Sequence, residues 1–497
     1  GRYTSIFGEK LERVVCNTSK KFNTEKKING HKGLYESDVN VIFKTFAENY
    51  DPAETPDLNI CFFDIETDFN KEVGFAPPED PFNAVTAISL HNSWMNTTIC
   101  LAIAPKTLTH EAAELVTDKF ENTMLFKTER EMLEAFLDLI DDADVMTGWN
   151  SEGFDIPYLV NRVSRVLSKS HTRRFCLWDK FPKQRTFERF GAEQQTYDTI
   201  GRVHMDYMQL YRKYTYHEMH SYSLDAIGEY ELNERKVDYE GTLDQLYNND
   251  FEKFIAYSRQ DVDLLVKLDA KLQFIDLANV LAHSNTVLLQ TTMGAVAQTD
   301  QAILNEAHAQ GLICPDKRYD KDTTSAAGAY VATPKKGMHK WVGSIDLNSL
   351  YPSIIRSCNM STETIIGQVR QVYTKELIAN AKTVAEAWEG RFACPEYELV
   401  MQKNIEEILH LDFEDGTSFE ATGAEIYEIV FNSGQPWIIS ANGTIFTYEK
   451  KGVIPGLLER WYAERKVLQA KARDARAEGG DKFAYWDKRQ LVKKINL

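Results

Sequence analysis

A short apolar run that carries two acids constrains this chain more than any other feature of its sequence. Residues 59–66 read NICFFDIE, and a run this short and this apolar is typical of a buried strand. Alternate residues of a strand point to one face, so Asp64 and Glu66 share a face of the predicted sheet. Two carboxylates on an apolar strand are costly unless a cation or a donor compensates them. A divalent metal such as Mg²⁺ is one compensation, and an edge strand with solvated acids is the alternative.

Strand and helix patterns alternate after this run. Further strands are predicted at 84–92, 97–104 and 143–150, and helices at 128–141, about 156–167 and roughly 251–282. The alternation predicts an α/β domain in which helices pack on a mixed sheet.

Two more acids fall where such a domain often carries chemistry. Asp155 follows the predicted strand at 143–150 in the loop NSEGFD, where a strand end leads into a helix. Asp261 lies four residues after Tyr257, so both side chains project from one helix face. The pair suits a metal ligand and a hydroxyl that orients water, and an ordinary amphipathic helix is the alternative.

The acids occur in a characteristic order: D-x-E, then N-x3-F-D, then Y-x3-D. This set resembles the DEDD exonucleases of the Tyr subclass, which have a ribonuclease-H-like fold. The resemblance implies that Asp64, Glu66, Asp155 and Asp261 hold two metal ions and that Tyr257 orients the attacking water. Such enzymes hydrolyse the terminal phosphodiester at a 3′ end.

A second acid-bearing motif lies at 344–356, SIDLNSLYPSIIR. The pattern predicts a strand from about Trp341, with Asp346 near its end, and a helix that begins near Pro352. An Asp at a strand end can hold a metal, and backbone N–H groups at the turn can face a triphosphate. Tyr351 would form the floor under the sugar. A capped turn with a packed Tyr explains the same residue types.

The sequence D-x2-S-L-Y-P-S resembles motif A of the family B DNA polymerases. Residues 148–163, 221–231 and 349–365 are especially similar to the T-even-type bacteriophage members. The resemblance implies that Asp346 is a polymerase metal ligand and that Leu350 and Tyr351 form the nucleotide-pocket floor, with Tyr351 excluding a 2′-hydroxyl.

The basic C-terminal region resembles the fingers of that family. In GVIPGLLERWYAERK, Arg465 matches a triphosphate-binding Arg, and Lys494 matches the motif B Lys that contacts the incoming nucleotide. Gln469 stands where the family has a second basic residue, and either Lys466 or Lys471 is a candidate for that role.

The resemblance implies an α/β and α+β multidomain protein. The expected parts are an incomplete N-terminal region (1–57), a ribonuclease-H-like 3′→5′ exonuclease domain (58–275), a helical connector packing with the N-terminal region (276–325), the first part of the palm (326–451) and the start of the fingers (452–497). It also implies two Mg²⁺ ions per active site, with Mn²⁺ as a substitute. The implied partners are primer-template DNA with a single-stranded 3′ end, dNTPs and a sliding clamp, in the cytoplasm of an infected bacterial host.

By this resemblance the sequence stops inside motif B, before the motif C carboxylates and the thumb. Two-metal nucleotidyl transfer that lacks one main carboxylate ligand should lose most of its rate. We therefore expect primer extension to need a C-terminal partner chain, as in a split polymerase, or the remainder of a longer protein. The alternatives are a stand-alone 3′→5′ exonuclease and a non-catalytic assembly subunit.

The charge of the chain bears on whether it can bind nucleic acid. The formal net charge of −17 argues against a polyanion partner at first. However, residues 161–190 hold nine Lys or Arg against two acids, and residues 451–497 hold twelve against six. Two basic segments in an acidic body suit a confined nucleic-acid surface, although solvated helix faces are the alternative.

The seven scattered cysteines form no C-x-x-C pair, and no apolar run approaches a membrane span of ~20 residues.

Overall fold

The computed structural model describes residues 2–189, 191–215, 217–318, 331–370, 408–440, 442–479 and 482–497. The chain divides into two compact units. One unit comprises Asp51–Ala295, and the other combines Gly1–Tyr50 with Val296–Leu497. In the N-terminal stretch of the latter, the elements are β1 (Tyr3–Ser5), β2 (Lys10–Leu11), α1 (Ser19–Asn29) and α2 (Val41–Asn49).

The unit Asp51–Ala295 is built on a six-stranded mixed sheet in the order β10-β7-β3-β4-β5-β6. Its strands are β3 (Ile60–Thr67), β4 (Val85–Asn92), β5 (Thr97–Ile103), β6 (Thr123–Phe126), β7 (Val145–Thr147) and β10 (Val203–His204), and β8 (Lys183–Arg189) and β9 (Ala192–Asp198) form a separate hairpin. Its helices are α3 (His110–Thr117), α4 (Glu129–Leu139), α5 (Asp155–Val166), α6 (Tyr207–Tyr214), α7 (Leu224–Leu232), α8 (Leu243–Asn249), α9 (Phe251–Leu272) and α10 (Phe274–Asn285).

Helices cover both faces of this sheet, which is why β4 is buried along its whole length. One core joins the sheet to α4 and α5, and it includes Phe63 and Ile65 of β3. The other core joins the sheet to α3, α8 and α9. The α/β prediction for this region is confirmed, including its strands at 84–92 and 97–104. The helix expected over 251–282 is two helices, because Gln273 takes a left-handed conformation with φ 56° and ends α9.

The second unit contains α11 (Ala295–Ala309), β11 (Leu312–Ile313), α12 (Leu350–Ser357), β12 (Ile365–Arg370), β13 (Ile408–Phe413), β14 (Ser418–Thr422), α13 (Gly423–Tyr427), β15 (Trp437–Ile439), β16 (Thr444–Thr447), α14 (Val453–Glu478) and α15 (Lys482–Asn496). Five of these strands form an antiparallel sheet in the order β14-β13-β12-β16-β15. The strand β1 joins β11 and β2 in a small sheet. Helices α11 and α12 pack on α14 through a core around Leu458 and Trp461.

The strand predicted from Trp341 is wrong. Residues 341–348 form no strand, and Trp341 and Ile345 are exposed. A strand exists through hydrogen bonds to a neighbour, and no strand in the described part of the chain pairs with this segment. The helix predicted near Pro352 is confirmed as α12.

Among the helices that the structure describes, none combines the length and the apolar composition needed to cross a lipid bilayer.

Candidate active site

The two acids of β3 lie on the face of the sheet opposite to the one that packs on α4 and α5. Phe63 and Ile65 enter the core beneath those helices, so the alternation of the strand sends Asp64 and Glu66 to the α9 side. Asp64 pairs across the sheet with Ser89 of β4, and the Ser89 hydroxyl lies 3.0 Å from that of Ser258 on α9. This contact joins α9 to the sheet beside Asp64.

Asp261 follows Ser258 by three residues on α9, so it lies on the same helix face near the β3 acids. One carboxylate oxygen from each of Asp64, Glu66 and Asp261 lies within 4.8 Å of the other two. Glu66 is 7% exposed and Asp261 is 2% exposed. The Oδ1 atom of Asp261 is buried and accepts no hydrogen bond from the described residues. A buried carboxylate oxygen without a donor, facing two further carboxylates, fits a divalent cation.

Asp155 contacts the backbone of β3 from the start of α5. It is the first residue of α5, and its Oδ1 accepts a hydrogen bond from the amide of Ile65, between the two β3 acids, at 3.2 Å. The preceding loop is held by buried Asp206, which accepts hydrogen bonds from the amides of Asn150 and Glu152 at 3.0 and 3.2 Å. The structure therefore places Asp155 beside the cluster of Asp64, Glu66 and Asp261, through the amide that lies between the two β3 acids.

The start of this loop requires glycine at position 148. A Cβ atom at Gly148 would lie 2.8 Å from the carbonyl oxygen of Phe63 and 2.9 Å from the Cβ of Ser151. Both contacts are far closer than packed atoms allow, and the first is with backbone. Glycine lets the end of β7 approach β3, and this approach brings the loop to the β3 acids.

Lys236 is a site residue that the sequence patterns missed. Its Nζ donates to Asp261 Oδ2 at 2.5 Å and lies 3.3 Å from the Tyr257 hydroxyl. The residue follows α7 in a segment without regular structure, and its amide donates to Asp225 Oδ1. No periodicity marks such a lysine, so only its place in the fold reveals it. Tyr257 itself is 9% exposed and contacts the ring of Tyr239 edge to face.

Burial sets the electrostatics of this cluster. It raises the pKa of Glu66 to about 8, aided by the charge of Asp261, and it raises the pKa of Asp155 to about 7 against the opposing hydrogen bond from Ile65. The pKa of Asp64 rises well above its ordinary value through burial and the charge of Glu66. Without a bound cation, the cluster therefore resists full ionisation at neutral pH.

The pKa of Lys236 moves the other way from a typical buried lysine. Burial alone would lower it, but the charge of Asp261, with the hydrogen bond that its carboxylate accepts, raises it above its ordinary value. Burial raises the pKa of Tyr257 as well, so its hydroxyl keeps its proton at neutral pH. The site thus holds one fixed cation and one neutral hydroxyl beside its carboxylates.

The motif A residues lie in the other unit, before and at the start of α12. Asp346 lies in the exposed non-strand segment, while Leu350 and Tyr351 open the helix and are 43% and 66% exposed. Two contacts hold α12 on α14. Ile355 packs into the core around Leu458 and Trp461, and the Arg356 guanidinium lies 4.8 Å from the ring centroid of Tyr462.

Arg465 and Lys494 lie on the two helices of the α14–α15 hairpin. Arg465 Nε donates to Gln490 Oε1 at 3.4 Å, and Lys494 follows Gln490 by one helical turn. The hairpin therefore brings the two basic residues to neighbouring positions. Of the two candidates for the role expected at Gln469, Lys466 lies over the ring of Tyr462, which also contacts Arg356 of α12, and Lys471 lies over the ring of Trp486.

Comparison with known proteins gives two family matches. Residues 14–227 match the family described as DNA polymerase family B, exonuclease domain, and residues 287–496 match DNA polymerase family B. Tyr257 and Asp261 lie between the two matched segments.

Several curated proteins are similar to the chain. It is 32% identical over 273 residues to the DNA-directed DNA polymerase of Escherichia phage RB69, a match that covers 54% of this chain and 30% of that protein. It is 31% identical over 258 residues to the DNA-directed DNA polymerase of Enterobacteria phage T4, covering 52% and 28%. The match to the DNA polymerase delta catalytic subunit of Bos taurus has 27% identity over 333 residues, 62% of this chain and 28% of that protein. The chain thus spans less than a third of the length of these relatives.

Proposed function

Because this chain belongs to the family B DNA polymerases, we propose that its unit Asp51–Ala295 is a 3′→5′ exonuclease that removes nucleotides from a single-stranded DNA 3′ end. The observation that carries the proposal is the cluster of Asp64, Glu66 and Asp261, whose ligand oxygens lie within 4.8 Å of one another. Asp155 extends this cluster through its contact with the amide of Ile65. The role that we propose for this exonuclease activity is proofreading of newly synthesised DNA.

The four acids are proposed to hold two Mg²⁺ ions, with Mn²⁺ able to replace them. The chemistry of the donors supports this assignment, because Mg²⁺ prefers carboxylate oxygens and keeps part of its water shell. When bound, the ions supply the positive charge that lowers the pKa of water and stabilises the leaving 3′ oxygen. They also compensate the carboxylates whose pKa values burial raises.

The other two residues of the cluster, Tyr257 and Lys236, are proposed to position the attacking water, the phosphate and the metal ligand Asp261. The Tyr257 hydroxyl keeps its proton, so it can donate a hydrogen bond to the attacking water or to a phosphate oxygen. Lys236 holds both Asp261 and the Tyr257 hydroxyl, which fixes the two side chains relative to each other. Its ammonium can also stabilise negative charge that develops on the phosphate.

The other unit is proposed to contribute to template-directed DNA synthesis from dNTPs on a primer-template. Asp346 would hold a metal ion, Leu350 and Tyr351 would form the floor of the nucleotide pocket, and Arg465 and Lys494 would bind the triphosphate. The pairing of α14 with α15 through Arg465 and Gln490 supports the last assignment.

The proposed domain organisation is the one expected above, with the exonuclease domain at 58–275 followed by the connector, palm and fingers. Synthesis would also use the motif C carboxylates and the thumb of the family, contributed by a C-terminal partner chain or by the remainder of a longer protein. The proposed setting is replication in the cytoplasm of an infected bacterium, with a sliding clamp as a partner.

An assay on labelled single-stranded DNA tests the exonuclease proposal. In Mg²⁺ the chain should shorten the strand from its 3′ end, and Asp64→Ala combined with Glu66→Ala should abolish the shortening. A matched control, Asp118→Ala with Glu121→Ala, removes two exposed acids and should leave the rate unchanged. No shortening by the wild type, or equal loss in both variants, would refute the assigned site. Adding dNTPs and a template to the same assay reports whether this chain extends primers by itself.

A further inference from the structure

The far end of the α14–α15 hairpin combines aromatic rings with cations. The Lys471 ammonium lies 4.5 Å from the ring centroid of Trp486, and the Arg489 guanidinium lies 3.4 Å from that of Tyr485. The two rings meet edge to face, with centroids 4.8 Å apart at an interplanar angle of 85°. Tyr485 is 48% exposed. Exposed rings with cations beside them are typical of surfaces that stack nucleic-acid bases.

A cleft of about 630 Å³ opens between the two helices at this end. The residues that line it are Lys471, Asp474, Ala475, Glu478, Lys482, Tyr485 and Trp486. Its volume lies within the range of small-ligand sites and is large enough for one nucleotide. Two carboxylates and two ammonium groups share the lining, so the cleft suits a ligand that presents both amino groups and anionic groups.

The cations of the hairpin are distributed unevenly. Near its base, Lys451, Arg460 and Lys493 each form an ion pair with a glutamate. Toward the far end, five cations form no ion pair with a carboxylate in the part of the chain that the structure describes; they are Lys471, Arg473, Arg476, Lys482 and Arg489. Positive charge without internal compensation is what a phosphate backbone requires.

We propose that this cleft binds an unpaired nucleotide of single-stranded DNA, at a site separate from the acidic cluster of the other unit. The base stacks on Tyr485 or Trp486, and its exocyclic amino group donates to Asp474 or Glu478. The flanking phosphates contact Lys471 and Lys482. Stacking needs a base free of its partner, so the site selects single strands over duplex. The two carboxylates favour cytosine and adenine over thymine, which has no amino group to donate.

The proposal does not rest on hydrolysis, so it is tested in a chain that carries Asp64→Ala and Glu66→Ala, with EDTA present. Binding of labelled oligo(dC) and oligo(dT) is followed by fluorescence anisotropy across a salt series. Oligonucleotides containing 5-iodocytosine are photocrosslinked to the same chain, and the modified peptides are identified by mass spectrometry. The expected result is a crosslink within residues 482–489 and tighter binding of oligo(dC) than of oligo(dT).

Lys471→Gln combined with Lys482→Gln should weaken oligo(dC) binding about tenfold and lower the salt slope by about 1.4, because each phosphate contact on a single strand contributes about 0.7. Both lysines are exposed, so the fold should not change. The control Lys20→Gln with Lys21→Gln makes the same charge change on exposed α1 and should leave binding unaltered. Tyr485→Leu combined with Trp486→Leu, which keeps apolar side chains, should remove the crosslink and weaken binding about fivefold or more.

Three results would overturn the proposal. Crosslinks that form only outside the hairpin would place the strand elsewhere. Equal binding of oligo(dC) and oligo(dT) would remove the role of the carboxylates. Displacement of DNA by polyglutamate at equal charge concentration would show a surface that binds any polyanion, including acidic proteins.

Discussion

Replacing Glu66 by glutamine should stabilise the metal-free chain at neutral pH while destroying the metal site. Burial raises the pKa of Glu66 from 4.5 to about 8. A carboxyl whose pKa is raised by folding supports the folded state fully below its unfolded pKa, and this support is lost as pH rises toward the folded value. Each pH unit above 4.5 costs about 1.4 kcal/mol, so over the interval to pH 7 the cost reaches roughly 3–4 kcal/mol at most. Glutamine has a similar shape and no such cost.

Calorimetric scans in EDTA measure this effect. At about pH 5 the wild type and Glu66→Gln should unfold at similar temperatures. At about pH 7.5 the transition of the unit Asp51–Ala295 should lie several degrees higher in the variant, since roughly 2–4 °C corresponds to 1 kcal/mol in a unit of this size. Added Mg²⁺ should raise the wild-type transition and leave the variant nearly unchanged, because compensation of the carboxylates is what the ion contributes.

The control for this experiment is Glu121→Gln, which neutralises an exposed acid and should shift neither transition. A lower unfolding temperature of Glu66→Gln than of the wild type in EDTA near pH 7.5 would contradict the raised pKa of Glu66. A difference between the two chains that does not grow from pH 5 to pH 7.5 would contradict it as well.

Three further predictions concern the residues around the cluster. Lys236→Met should lower the cleavage rate about 100-fold and yet lower the Mg²⁺ concentration for half-maximal rate, because it removes a positive charge 2.5 Å from Asp261; a higher Mg²⁺ requirement would contradict this. Gly148→Ala should destabilise the chain by about 2–3 kcal/mol in urea unfolding, since its Cβ would meet backbone at 2.8 Å; unchanged stability would contradict that contact. Asp206→Ala should release the loop before Asp155 and slow cleavage at least tenfold, with faster amide exchange at residues 150–152; slow exchange there would show that other contacts hold the loop.

Much of the exonuclease-type site was predictable because strand alternation is rigid. Once β3 is buried on both sides, the period of two sends Asp64 and Glu66 to one face and Phe63 to the other. The helical spacing of Tyr257 and Asp261 is equally strict. Lys236 was not predictable, since it lies in an irregular segment and reaches the cluster only through the packing of α7 against α9.

The strand predicted at 341–347 was wrong because a strand depends on pairing with a distant segment. Its apolar composition is compatible with a strand, but pairing is a tertiary property that no local pattern contains. The break at Gln273 likewise depends on one residue in a left-handed conformation inside an otherwise helical pattern.

Ion pairs compensate much of the positive charge that the sequence shows in segment 161–190. Its arginines are largely engaged in ion pairs, including Arg162 with Glu129 and Arg185 with Glu152 and Asp198. Summed charge along the sequence cannot reveal such pairing, because the partners come from distant positions. In the α14–α15 hairpin, by contrast, Lys471, Arg473, Arg476, Lys482 and Arg489 form no ion pair with a carboxylate among the described residues, and the proposed nucleic-acid site lies at that end.

Anomalous diffraction from crystals soaked in Mn²⁺ locates the metal site of the exonuclease-type cluster independently of any activity. We expect anomalous density coordinated by Asp64, Glu66 and Asp261 at distances close to the ~2.1 Å of Mg²⁺–oxygen contacts, and its absence in a chain with Asp64→Ala and Glu66→Ala. Wild-type crystals without Mn²⁺ at these carboxylates would contradict it, as would density that persists there in the variant.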